Sequence, residues 1–316
     1  MLRRAAALAA LAALAALLLS PRAASAAATE RFLTVALPAD ESGAAETYRV
    51  RALVAPGDAA RRSSGGSGGV HAPVLLLHGA SFNADTWDAL GTLKLLSAAG
   101  YDVAALDLPG ASGGRTTPDG RVALPRRGAL LVGALDALAW RGPAHVVAPS
   151  ASGRFALPLL LRAPERVASF VPIAAVGLEG AVAQLLAASE PARAVPTLLI
   201  WGEKCVRPAG TSPFAPAMTD ALLTCAALRP LPRAGTRRMG CARRRLRSCS
   251  TSHARRVKPA AALSSQQPLA AASDCLRPRT LQNVIAGAGH ACYMDAPGRF
   301  HTALVAWLKT QSEPRT

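Results

Sequence analysis

His145-Val146-Val147-Ala148-Pro149-Ser150-Ala151-Ser152-Gly153 is the stretch whose reading decides the fold of this chain. A β-branched pair runs straight into a serine whose neighbours two positions away on either side are small. A strand-to-helix turn that must expose a nucleophilic hydroxyl has this pattern, because bulk at Ala148 or Ser152 would collide across the turn. The segment departs from G-x-S-x-G, with Gly153 one place late. The competing reading is a serine that caps an ordinary helix. A strand before the turn and a His-Gly loop upstream weigh against it.

Outward from that turn, strands and helices alternate. Val74–Leu77 is a continuous apolar strand, as in a sheet buried on both faces. A helical pattern runs from Asp85 to Leu96, and Tyr101–Leu106 is the next strand. Leu130–Trp140 reads as a helix, His145–Ala148 as a strand and Ser152–Arg162 as the helix after the nucleophile. Val167–Ile173 and Thr197–Trp201 are two further buried strands, Val284–Ala286 is a short last strand, and Phe300–Leu308 is a closing amphipathic helix with Trp307 on its apolar side. Phe32–Pro38 and Thr47–Val54 read as edge strands. The fold class is therefore α/β, a mostly parallel central sheet with helices on both faces.

The two unusual segments lie at the N-terminus and before the last strand. Met1-Leu2-Arg3-Arg4, an apolar run Ala5–Leu19 and small residues around Ala26 read as a targeting signal over residues 1–28. Export to the secretory pathway or extracellular space is the expectation, with an organelle presequence or an uncleaved anchor as alternatives. Residues 29–316 then form one hydrolase-type domain, interrupted by the basic segment 205–279. That segment holds 14 Lys/Arg against the two acids Asp220 and Asp274, which is 12 of the 17 net positive charges of the chain. Three readings fit it: a natural disordered insertion, intron sequence carried into the reading frame, or a nucleic-acid-binding arm. The last is the weakest, since Arg243-Arg244-Arg245-Leu246-Arg247 lacks the interleaved aromatics that stack on bases. Five of the six cysteines fall in the same segment, and none has trusted metal spacing with a histidine. No metal, cofactor or defining disulfide is expected.

Serine needs a neighbouring base to be a nucleophile at neutral pH. His290 ends Val284-Ile285-Ala286-Gly287-Ala288-Gly289-His290, on a loop after the final strand, where it can reach over Ser150 as base and then acid. The N–H groups of Ala151 and of Ala80, the latter after His78-Gly79, are the natural oxyanion donors. His78 is expected to structure that loop. His145 begins a strand on the side away from the chemistry, and His301 is expected to face solvent. The acid is the difficulty. It belongs a few residues after Thr197–Gly202, where the chain reads Glu203-Lys204-Cys205, and the next acid is Asp220.

At this point the blocks Val74–Trp87, Leu106–Gly110, Val147–Gly153 and Gly287–Asp295 resemble the small α/β-hydrolases of the abhydrolase-domain 14 family, also called CCG1-interacting factor B-like proteins. The resemblance covers Val74–Lys204 and about Leu281–Leu308. It implies a hydrolase with minimal lid, a Ser–Asp–His triad and small acyl esters or related acyl compounds as substrates. Ser150 matches the nucleophile and His290 the base. The family's acid follows a Gly-Asp-x-Asp type turn, and here Cys205 stands at its position. The break in the motif at an abrupt change of composition favours the intron reading. The alternative function is a catalytically impaired scaffold that binds a protein partner.

Overall fold

The computed structural model describes residues 27–41, 43–58, 71–110, 115–118, 121–178, 184, 192, 194–205 and 280–312. The targeting signal, the arginine cluster and Asp220 lie outside the described residues. Among those described, no helix is long and apolar enough to cross a membrane.

The strands are β1 (Thr29–Leu37), β2 (Glu46–Ala55), β3 (Val74–Leu76), β4 (Val103–Leu106), β5 (Ala144–Pro149), β6 (Val167–Ile173), β7 (Thr197–Gly202) and β8 (Thr280–Ile285). They form one eight-stranded sheet in the order β1-β2-β4-β3-β5-β6-β7-β8. β1 and β2 pair antiparallel, β2 pairs antiparallel with β4, and every later pairing is parallel. The strand that runs into Ser150, β5, is thus central, and its C-terminal end opens where loops gather in such sheets.

β3 to β6 are nearly all apolar because both faces of the sheet are covered. On one face, α3 (Arg127–Ala137) and α4 (Gly153–Arg162) bury Leu131, Leu135, Phe155 and Leu159 against Leu75, Val146 and Leu199. On the other, α1 (Asp85–Ala89), α2 (Thr92–Ala98) and the C-terminal helix α6 (Pro297–Ser312) bury Trp87, Leu93, Phe300 and Trp307 against Leu76, Val147 and Ile200. Trp307 is where its helical spacing predicted. The architecture is a mostly parallel sheet with helices on both faces.

Three expectations are corrected. The pattern from Asp85 to Leu96 is two helices, because Gly91 takes φ +72 between them and an α-helix cannot pass through that backbone. β2 is an interior strand, since β4 hydrogen-bonds its free side. His301 is half-buried and shares a 2.9 Å hydrogen bond with the Thr92 hydroxyl, which ties α6 to α2.

His145 does lie at the end of the sheet opposite the chemistry, but it is not idle. Its ring is buried, with Nδ1 2.8 Å from the Ser169 hydroxyl, and that same hydroxyl accepts the Trp307 indole N–H. Burial pushes its pKa down to about 4, with His71 acting in the same direction. The folded state therefore favours the neutral ring, while the unfolded chain takes up a proton near pH 6.5. The stabilisation is complete above pH 6.5 and is lost as pH falls towards about 4. Urea unfolding at pH 7 and pH 4 should differ by about 3 kcal/mol more in the native chain than in His145→Phe. Parallel pH profiles for the two proteins would refute the assignment.

Candidate active site

Ser150 sits at the junction of β5 and α4 with φ +50, a left-handed conformation that a side-chain-bearing residue rarely adopts. The strain turns the hydroxyl out of the sheet. Two contacts hold the turn: the Ser150 carbonyl accepts the Val176 N–H at 2.7 Å, and the Ser152 hydroxyl donates to the Pro149 carbonyl at 2.7 Å. Gly153 explains the displaced glycine of the motif. A Cβ there would stand 2.4 Å from the Val176 carbonyl oxygen, so the close approach that needs glycine falls one residue after Ser152.

His290 meets this serine from the loop after β8. Its Nε2 is 2.9 Å from the Ser150 Oγ. The loop is fastened to the end of β7 by three backbone amides. Glu203 N–H donates to the Ile285 carbonyl, Lys204 N–H to the Ala288 carbonyl, and Gly287 N–H to the Glu203 carboxylate. Gly202 allows the two segments to touch, since a Cβ there would lie 2.1 Å from the Gly289 oxygen. Asp295, at the end of the short helix α5 (Cys292–Asp295), accepts the Gly289 N–H at 2.7 Å.

These contacts account for one oxygen of each described carboxylate beside the loop. Glu203 and Asp295 both spend a carboxylate oxygen on loop amides. The side chain that faces Nδ1 of His290 is Cys205, with its Sγ 3.3 Å away. A turn closed by Cys205 N–H to the Gly202 carbonyl brings it there. Burial raises the pKa of the Cys205 thiol, which favours its protonated form. Cys205, which the resemblance put at the position of the family's acid, is thus a neighbour of the His290 ring.

The oxyanion side is built around His78, which is buried. Its Nδ1 lies 2.8 Å from the Gly79 carbonyl oxygen, and its Nε2 accepts the Leu108 N–H at 2.9 Å. Both bonds are satisfied only by the neutral ring with the proton on Nδ1. Burial lowers the His78 pKa and so favours that form, against opposing contributions from the Gly79 hydrogen bond and Asp107. The Gly79 carbonyl belongs to the same planar peptide as the Ala80 N–H, so gripping one fixes the direction of the other. Gly79 itself lies against Ser150, with a built Cβ 3.6 Å from the serine Cβ.

Sequence reasoning missed two supports. Tyr293 stacks on Trp87 with ring centroids 5.0 Å apart and meets Phe82 edge-on, which clamps the helix after His290 to the oxyanion side. Arg51 is the other. Its buried guanidinium bonds Glu30, Asp85 and Asp107, and the fully buried Asp107 in turn accepts the Ala84 N–H at the start of α1. Neither is visible without the fold, because the partners are tens of residues apart.

Among the described residues, no group of three or more His, Cys, Asp or Glu side chains gathers as a metal site. A groove of about 330 Å³ lined by Leu37, Val132 and Leu159 lies towards the C-terminal end of α4, away from Ser150. The open site can bring a hydroxyl, an imidazole and directed amides to one carbonyl.

Comparison with known proteins agrees with this fold. Residues 74–303 match the alpha/beta hydrolase family. The Rattus norvegicus protein named "Putative protein-lysine deacylase ABHD14B" is 30% identical over 240 residues, 75% of this chain and 82% of that protein. ABHD14A of Homo sapiens is 42% identical over 131 residues, which are 41% of this chain and 46% of that protein. Among solved structures, a CIB-like hydrolase from Thermoplasma acidophilum superposes with a TM-score of 0.56 at 18% identity, covering 90% of this chain and 99% of that one. That last likeness concerns the fold alone. The chain belongs to the alpha/beta hydrolase family, in its ABHD14 branch.

Proposed function

We propose that this protein is a serine hydrolase that cleaves small acyl esters through an acyl-enzyme on Ser150. The observation that carries the reading is the 2.9 Å contact between the His290 Nε2 and the Oγ of a serine held at φ +50. In the productive tautomer, Nε2 takes the hydroxyl proton as Oγ attacks the acyl carbon. The Ala80 and Ala151 N–H groups receive the negative charge on the carbonyl oxygen. Collapse of the tetrahedral species breaks the bond to the leaving alcohol, which receives the proton from His290. Water, deprotonated by the same ring, then attacks the ester on Ser150 and restores the hydroxyl. The exposed His290 and the minimal lid suit a small acyl group and a leaving group that projects into solvent. An acyl group on a protein lysine fits the same geometry, in line with the name protein-lysine deacylase that ABHD14B carries.

Turnover of p-nitrophenyl acetate and butyrate is the direct assay. Native protein should hydrolyse them, and Ser150→Ala should not exceed the buffer rate by more than a small residue. Equal rates for the two proteins would refute the proposal. The Cys205 thiol in the acid's seat favours a second reading, a catalytically impaired scaffold that binds a protein partner. That reading predicts no turnover by folded native protein. We also propose that residues 1–28 direct the chain to the secretory pathway; a fusion of that segment to a reporter that stays in the cytosol would exclude this.

A further inference from the structure

His290 is flanked by two side chains, with Ser150 Oγ on Nε2 and Cys205 Sγ on Nδ1. A neutral imidazole donates through one nitrogen and accepts through the other, so the partner on Nδ1 decides what Ser150 sees. A carboxylate on Nδ1 can only accept. It would keep the proton there and leave the Nε2 lone pair free to take the serine proton. A thiol has the opposite preference, since its sulfur is a weak acceptor and imidazole nitrogen is a good one. The S–H then points at Nδ1, the ring carries its proton on Nε2, and that N–H is directed at the serine oxygen.

We propose that Cys205 is a positioning residue for the reaction at Ser150: its thiol donates to Nδ1 of His290 and holds the ring in the tautomer that confronts the serine with a donor instead of a base. The inference rests on the proposed Ser150–His290 chemistry and adds that the site is set to a low rate by one side chain. The raised thiol pKa supports it, because the proton stays on sulfur. Among the described residues, the acids beside the loop are already engaged. Of the neighbouring acids, Glu203 is bound to Gly287 N–H and Asp295 to Gly289 N–H. Turnover requires the minor tautomer, and the imidazolium formed in the transition state has no anion on Nδ1.

The test is full-length Cys205→Asp beside Cys205→Asn, assayed on p-nitrophenyl acetate. Loss of a triad carboxylate to its amide costs about 10⁴ in kcat through the wrong tautomer. Cys205→Asp should therefore raise kcat by about 10² to 10⁴ with KM within about threefold, and Cys205→Asn should gain no more than about tenfold. The ring nitrogens report the cause. In native protein the ¹⁵N shifts of His290, assigned by their loss in His290→Gln, should show Nε2 protonated and Nδ1 bare; Cys205→Asp should exchange the two. A native ring already protonated on Nδ1 overturns the inference even if the aspartate variant fails to fold. So does a folded Cys205→Asp with native kcat, or a native enzyme that loses more than tenfold with Asp220→Asn, since the acid would then come from that residue. If Cys205→Asp is fast and adding Ser150→Ala leaves it fast, the Ser150 chemistry itself is wrong, which is a separate failure.

Discussion

Replacing Ser150 by alanine is expected to cost about 10² in kcat in the native sequence but about 10⁶ in a chain that carries Cys205→Asp. The asymmetry follows from how triad members act as a unit. In a complete serine-protease triad, losing the serine or the histidine costs about 2 × 10⁶, while losing the acid alone costs about 3 × 10⁴. A chain that begins without the acid has only the quotient left to lose, about 70-fold. Restoring a carboxylate beside Nδ1 restores the larger amount. The measurement is a four-member cycle of native, Ser150→Ala, Cys205→Asp and the double variant on one short-chain ester. Coupling of about 10⁴ between positions 150 and 205 is the expected result. Additive effects would mean that Cys205 does not act through His290.

Arg51→Met should lower the unfolding free energy by about 3–5 kcal/mol. Arg51 is 2% exposed and Asp107 is 0% exposed, so removing the guanidinium leaves a buried carboxylate without its cation. Burial alone would lower the Arg51 pKa, yet its hydrogen bonds to Asp85 and Glu30 and the charges of Asp107 and Asp85 raise it overall, so the guanidinium stays charged in the fold. The loss reaches the site by a short route. Asp107 accepts the Ala84 N–H and the Arg115 N–H, and Ala84 closes the loop that starts at His78. For a domain of this size, the midpoint of thermal unfolding should fall by about 10 °C. A fall below about 2 °C would mean that the surrounding acids are held by water and backbone instead.

The central strand, the nucleophile turn and the histidine loop were legible because each is a local pattern. An apolar run, a small-residue turn and a Gly-Ala-Gly-His loop carry their meaning within ten residues. The resemblance put Cys205, the fourth residue of a turn that begins at Gly202, at the position of the family's acid. Its contact with His290 was not legible, because it joins residues 85 apart in sequence. Gly91 was read past because the residues on both sides of it are amphipathic with the same period, and only its φ of +72 separates the two helices. The interior position of β2 depends on pairing with β4, and the Arg51 cluster draws on β1, β2, α1 and the loop after β4. Such arrangements are set by the topology of the sheet, which no single segment contains.

Ser150 as an activated nucleophile is the claim on which the rest depends, and a fluorophosphonate probe tests it most directly. Folded native protein should gain one phosphonyl group, mapped by peptide mass spectrometry to the segment that contains Ser150, and the rate should rise in Cys205→Asp. Ser150→Ala should gain none. Equal labelling of native protein and Ser150→Ala, or no labelling of any folded form, would contradict the account.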